Sequence, residues 1–423
     1  MSNLTRFVKS AAVALLAVLI SACGSGSNNA TPTNLRFVNA TTGTSLSVTL
    51  NGIGQFSNVA AGAATGYAPV TPSNYTIEVT SANGTLATSA QVQGLASGQT
   101  YTLLAYQRDG AIVAELIVED QVIPAAGFST VAISNSSPDA GTLDVYILPP
   151  GTTNLTGLAP VFQQVVFGAA PAAVAYTAGT YDIVATGTGN QNDVRSRLSS
   201  VVLTGGQIVM AAYTSTSGGA LVNTVLLTQG GSVQFEAATQ ARVRVVSALP
   251  AAGLTPVTAT VGATSLATVY SPNPGIYTLV GGGTSTYSVS PSPATLPAAT
   301  FAAGGDFTIL VYGSASSPIV SVLADNNQAP IGGNVNLRLV NAATAAAGGL
   351  TLYDNGVQVA SAIGYGGASA YYGTGESAAS TLQVVAPGLS SQPDTVSLSI
   401  PDAVYTIFVI DPATLAPIVI RDR

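Results

Sequence analysis

The 423 residues carry 11 basic and 18 acidic side chains, a formal charge of −7, with no histidine, no tryptophan and a single cysteine. An acidic balance with no basic stripe argues against nucleic acid or anionic headgroups as electrostatic partners. Histidine triads and histidine zinc sites lack their principal atoms, while Asp, Glu, Tyr, Ser and Thr leave carboxylate-pair hydrolysis and calcium binding open.

The chain starts with Arg6 and Lys9, continues as an apolar run from Ala11 to Ile20, and reaches Cys23 through Ser21-Ala22. That is the three-part layout of a secretory signal, and the run is too short to span a bilayer. It predicts a signal helix over residues 1–22. Cys23, directly after two small residues, resembles the lipobox of bacterial lipoproteins. The resemblance implies cleavage before Cys23, a diacylglycerol on its thiol, and acylation of the new amine. Acyl chains at about 0.8 kcal/mol per buried methylene hold a protein lastingly on one leaflet. The membrane is therefore an expected partner, and the expected location is exported and lipid-anchored to the cell envelope. The same resemblance implies that Gly24, in place of Asp, permits export to an outer membrane if the host is Gram-negative.

Removing residues 1–22 takes away Lys9, the only lysine, and leaves nine arginines against eighteen acids. With the one thiol committed to lipid, Schiff-base lysines, thiolate sites and disulfides are excluded as well. Residues 23–34 read as a lipidated tether. Gly24 to Asn34 are eleven residues with nothing to bury, reaching at most about 35 to 40 Å.

Beyond the tether the chain repeats itself in one order. Leu35-Arg36-Phe37-Val38-Asn39-Ala40 returns as Val131 to Ser136, as Val243-Arg244-Val245-Val246-Ser247-Ala248, and as Leu337-Arg338-Leu339-Val340-Asn341-Ala342. Each is an expected opening strand. A second strand ending at a Gly turn follows, at Leu46 to Gly52, Leu143 to Gly151, Val257 to Gly262 and Leu350 to Gly356. Asn51-Gly52 and Asn355-Gly356 are type I′ hairpin signals. Near the end of each unit come an apolar strand (Tyr101 to Tyr106, Ile208 to Tyr213, Phe307 to Tyr312, Tyr405 to Ile410) and a last strand (Ile112 to Val118, Leu221 to Leu227, Ile319 to Leu323, Pro417 to Ile420).

Only 7% of residues are charged, but 47% are apolar, enough to offset chain entropy. Short β-branched runs between Gly, Pro, Asn and Ser turns predict an all-β protein of tandem antiparallel β-sandwich domains. The expected units are residues 35–124, 128–229, 240–325 and 335–423, arranged as a string. With no lysine to guard strand edges, prolines at strand borders such as Pro124, Pro160 and Pro318 are the expected device.

In the second unit, Asn135-Ser136-Ser137-Pro138-Asp139-Ala140 leads to Asp144-Val145-Tyr146. This segment resembles the opening of bacterial domains grouped as the domain of unknown function 4397 family. The other units keep its frame but lack the Pro-Asp pair and the second Asp. The resemblance implies tandem immunoglobulin-like sandwiches on an exported protein, and it brings no catalytic residues.

Asp139 and Asp144 are the best-placed acids. Asp139 is expected to hydrogen-bond the backbone of its own turn and Asp144 to point outward at a strand start, and neither supplies the six or more oxygens of a calcium site. The loop Tyr365 to Tyr372 is the most suggestive sugar-binding surface through Tyr365, Tyr371 and Tyr372, although partly buried rings in a Gly-rich hairpin also account for it. No catalytic residue, metal or cofactor is expected. The expected function is a non-catalytic envelope lipoprotein whose β-sandwich array acts as a spacer or as a binding or adhesion surface for a glycan or protein. The alternatives are a carbohydrate-active enzyme using Asp or Glu carboxylates, and a carbohydrate-binding protein.

Overall fold

The computed structural model describes residues 31–423 apart from 82–85, 92–93, 109–110, 170, 251–254, 292–295, 331–332 and 411–414. The signal helix, Cys23 and most of the tether lie outside the described residues. Among the described residues the chain is all β, and its only helical elements are two single 3-10 turns, Pro138–Ala140 and Thr344–Ala346.

The sheets fall into four consecutive groups covering residues 33–118, 128–236, 240–325 and 334–421. Each group is a sandwich of two layers, the second layer of the third unit being split in two. The second unit runs past residue 229 because Val233–Glu236 pairs with Val222–Thr228 and extends that sheet.

The opening strands are Thr33–Asn39, Phe128–Asn135, Gln240–Ser247 and Asn334–Asn341. Each pairs in parallel with the penultimate strand of its unit, respectively Thr100–Arg108, Ile208–Ser215, Asp306–Ser314 and Val404–Val409. Those strands pair antiparallel with the closing strands Ala111–Val118, Val222–Thr228, Ser317–Asp325 and Pro417–Arg421. One parallel pair per unit thus sits inside sheets that are otherwise antiparallel. Parallel neighbours need a long crossover, and here the whole second layer is that crossover. In the second layers the Asn51-Gly52 and Asn355-Gly356 turns have positive φ at both residues, 51° and 76°, and 50° and 79°, as the hairpin signal requires.

Alternation along the opening and penultimate strands divides their side chains between two cores. Leu35, Phe37 and Leu103 point into the first sandwich. Val38, Leu104 and Tyr106 point out of it and pack on Met210, Ala212, Val225 and Leu227 of the second unit. In the same way Val246, Leu310 and Tyr312 of the third unit pack on Val340, Phe408 and Ile410 of the fourth. The expected string of separate modules is therefore wrong. Both faces of the layer are apolar, and a sheet apolar on both faces must be covered on both, so the units stack in pairs, first on second and third on fourth.

Phe408 is fully buried between the third and fourth units and belongs to neither sandwich core. Phe408→Ala is expected to cost about 3–5 kcal/mol in urea unfolding. Leaving both sandwich cores intact, it should also enlarge the particle in small-angle scattering before global unfolding begins.

Candidate functional site

The arginines that interrupt three of the opening strands are not on the surface. Arg36, Arg244 and Arg338 are almost fully buried, each opposite a threonine of the penultimate strand: Thr102, Thr308 and Thr406. Arg36 Nε donates to Thr102 Oγ1 at 2.7 Å and Arg244 Nε to Thr308 Oγ1 at 2.9 Å, while Arg338 Nη2 reaches Thr406 Oγ1 at 3.2 Å. Each threonine hydroxyl donates in turn to an acid just beyond the closing strand or at its end: Glu119, Asp325 and Asp422. Each guanidinium also lies over a tyrosine ring, Arg36 over Tyr67 at 4.7 Å, Arg244 over Tyr277 at 4.6 Å and Arg338 over Tyr371 at 4.9 Å. The result is one arginine, tyrosine, threonine and acid constellation repeated three times.

Between the third and fourth units the constellations exchange partners. Arg244 Nη1 is 2.7 Å from Asp422, and Arg338 Nη2 is 2.7 Å from Asp325. Asp325 also accepts from the hydroxyls of Tyr277 at 2.8 Å and Thr308 at 2.6 Å. Burial alone would push the Asp325 carboxyl up, but Arg338 and Arg244 together with these hydroxyls hold it below the ordinary carboxylate range.

The second unit has none of the four side chains. Its register places Ala132 opposite both Ala173 and Met210, and Gln229 stands two residues beyond Leu227, the partner of Met210. Arg36 faces this apolar surface and finds its remaining acceptors in the turn after Thr228, at Gly231 O (2.8 Å) and Thr228 O (3.2 Å). Its charge is met at home by Glu119 at 2.8 Å.

The acids singled out in the sequence are structural. Asp139 is fully buried. Its turn is closed by Ser137, whose hydroxyl accepts from Ala140 N at 3.2 Å, so Asp139 does not bond its own turn as expected. Instead its Oδ1 accepts from Ala329 N at 2.8 Å, between the third and fourth units. The carbonyls of Pro138 and Asp139 accept from the Arg423 guanidinium. The Pro-Asp turn is thus a docking point for the other half of the chain.

Asp144 does not point outward either. It is 7% exposed because its two oxygens close two loops, accepting from Gln164 N and Gly189 N at 2.9 Å each. Asn135 of the motif has an equally local role. It donates to Gly141 O and Val165 O and accepts from Ser137 N. Asn39 and Asn341 bond their own units in the same pattern.

The tyrosine loop is likewise turned inward. Tyr365 packs edge-to-face on Tyr312 of the third unit, centroids 4.8 Å apart, and Tyr371 lies under Arg338. Both rings are held by the stacking of the third and fourth units, so neither is free to carry a sugar. Tyr372, 37% exposed on the strand Tyr372–Gly375, is the one of the three that faces solvent. Among the described residues no three metal-ligating side chains converge. A cleft of about 560 Å³ opens between the two layers of the second unit, and its lining holds no aromatic ring and one acid, Glu236.

The constellations were available to sequence reasoning through one unread signal. An arginine stands at the same repeat position of an apolar opening strand three times, with Arg242 as a fourth two residues before Arg244, in a chain with only nine arginines after the leader.

Residues 33–146 match the family described as Domain of unknown function (DUF4397). The match covers the first unit and runs into the motif of the second as far as Tyr146. No curated protein matches the chain. Among solved structures, the Bacillus anthracis TIE protein is similar over 89% of this chain and 68% of its own, at 12% identity and a TM-score of 0.14, a likeness that adds nothing to the fold already described.

Two outcomes follow from the buried charges. Arg36→Met alone strands Glu119 and is expected to cost about 3–5 kcal/mol. The double variant Arg36→Met/Glu119→Gln, which moves the site toward the second unit's own pattern, should recover most of that loss in urea unfolding. For Asp325, the folded-state pKa lies below the ordinary 3.8. Its contribution is therefore complete above that value and is lost as pH falls through the depressed one. Stability measured between pH 5 and pH 2 should fall along that window, and Asp325→Asn should flatten the fall while lowering stability at neutral pH.

Proposed function

We propose that this chain is a non-catalytic cell-envelope lipoprotein, anchored through acyl chains on Cys23 and presenting a block of β-sandwich units as a binding or adhesion surface. The observation that carries the reading is the leader: Arg6 and Lys9, the apolar run to Ile20, and the sole cysteine immediately after Ser21-Ala22. An all-β chain with a match to a family of unknown function is compatible with a non-catalytic module. Further support comes from where the reactive side chains are used. Asp139, Asp144, Asp325 and Asp422 accept hydrogen bonds or ion pairs that close turns and join units.

Pairwise stacking favours presentation over a long spacer. Units joined through apolar faces and buried ion pairs cannot be drawn out like beads on a flexible thread. The expected tether of residues 23–34 is cut short because Thr33 and Asn34 already belong to the opening strand. Reach from the membrane is then set by the residues between Cys23 and Thr33 and by the thickness of the block, and recognition would fall to outward loops such as the Asn51-Gly52 and Asn355-Gly356 hairpins. At those tips Ile53 and Val357 are 74% and 58% exposed.

Radiolabelled palmitate supplied to cells expressing the full chain should be incorporated and partition with membranes, and Cys23→Ala should abolish both. Equal soluble secretion of the two forms, without label, would overturn the anchoring.

A further inference from the structure

Four of the nine arginines beyond the leader gather around one cleft of about 390 Å³ where the second, third and fourth units meet. Arg195, Arg242, Arg244 and Arg421 line it, against only two acids, Asp193 and Asp422. In a chain whose overall charge is −7, this is a local reversal of sign. Including the deeper Asp306, Asp325 and Arg338, which pair with these residues, the network still holds five arginines against four aspartates.

The acids are already engaged. Arg242 takes both oxygens of Asp306, at 2.9 and 2.5 Å, and one of Asp193 at 2.8 Å. Arg195 Nη2 takes the other oxygen of Asp193 at 2.5 Å. Three donors of the network, Arg195 Nε, Arg244 Nη2 and the deeper Arg338 Nε, are buried and without a hydrogen-bond partner, against one such acceptor, Asp422 Oδ1, which is ion-paired with Arg244 Nη1 at 2.7 Å. The Arg244 side chain is only 3% exposed, and a buried donor without an acceptor is costly. Arg421, at the end of the closing strand, is exposed and has no ion pair among the described residues. The Tyr277 ring lies 4.7 Å from the Arg242 guanidinium and 4.6 Å from that of Arg244 and packs against both. The balance differs across the cleft. Burial and the nearby Arg242 push Arg195 down, and burial with Arg195 brings Arg423 down to about 10, whereas Asp306 and Asp193 hold Arg242 up against burial, and Tyr277, Asp422 and Asp325 do the same for Arg244.

We propose that this cleft is an oxyanion-binding site, taking a phosphate or sulfate group either as the free ion or at the end of a larger ligand. Guanidinium forks match the oxygens of such a group. A bound oxyanion would use the excess positive charge and the orphaned donors together, and would tie three units to one ligand. The inference rests on no part of the anchoring proposal.

The test uses the full chain purified in detergent, with calorimetric titration and thermal unfolding in inorganic phosphate, in sulfate, and in glycerol phosphate as the larger ligand, each against sodium chloride of equal ionic strength. A saturable rise in unfolding temperature beyond the chloride control is expected, with affinity falling about tenfold in Arg421→Gln, an exposed substitution that leaves the buried pairs in place. Arg195→Gln should weaken binding similarly. Tighter binding of glycerol phosphate than of phosphate would support the terminal-group form of the site, and equal binding the free-ion form. The proposal is overturned if no anion exceeds the chloride control, or if both variants bind as the parent does.

Discussion

An arginine buried in the middle of an apolar sheet must find a carboxylate and enough acceptors for its donors, or the sheet will not form. Three of the four units accept that constraint, and their packing follows from it. The guanidinium needs a threonine on the next strand, an acid at the end of the strand after that, and a flat ring to lie against. Those requirements fix the register of three strands at once. They also fix what can cover the layer. In the third and fourth units the cover is a second copy of the same constellation, and each arginine reaches across to the other unit's aspartate. In the first unit it is the turn of an apolar neighbour, whose carbonyls accept what the home acid does not.

Much of the fold was legible because local signals agreed. The four opening strands, the four apolar penultimate strands and the Asn-Gly hairpins stand where β-branched runs and turn residues placed them. The parallel pairing within each unit could not be read, because strand direction across a long crossover leaves no local mark in sequence. The stacking of units was missed for a different reason. Strands such as Ile208–Ser215, buried at every position, look like ordinary core strands, and only the count of apolar faces in three dimensions shows that one of them faces another unit.

The site residues show the opposite balance. Asp139 and Asp144 drew attention as acids in a loop-rich segment, but each carboxylate serves backbone amides. The tyrosine loop drew attention for its glycines, but two of its rings close an interface. The arginines carried the stronger signal. A charge inside an apolar strand is rare enough that it asks for a partner, and three occurrences at one repeat position ask for a repeated partner. The acids answering them, Glu119, Asp325 and Asp422 at the far end of each unit, were visible as isolated residues near unit ends and lacked only the pairing.

The uncharged set Ala132, Ala173, Met210 and Gln229 has a consequence for how a nascent chain sorts its own copies. Four homologous modules in tandem invite exchange of partners, a common failure of repeat proteins. Here the wrong match is penalised. If the second unit were to cover the third or the fourth, the two ion pairs that cross that seam, Arg244 to Asp422 and Arg338 to Asp325, would be lost, and each arginine would be left, as Arg36 is, with its home acid and the turn carbonyls after Thr228. Where repulsion or an unmet charge disfavours the incorrect neighbour, fidelity no longer depends on affinity for the correct one. The missing arginine of one module is in this sense an address label for the other three.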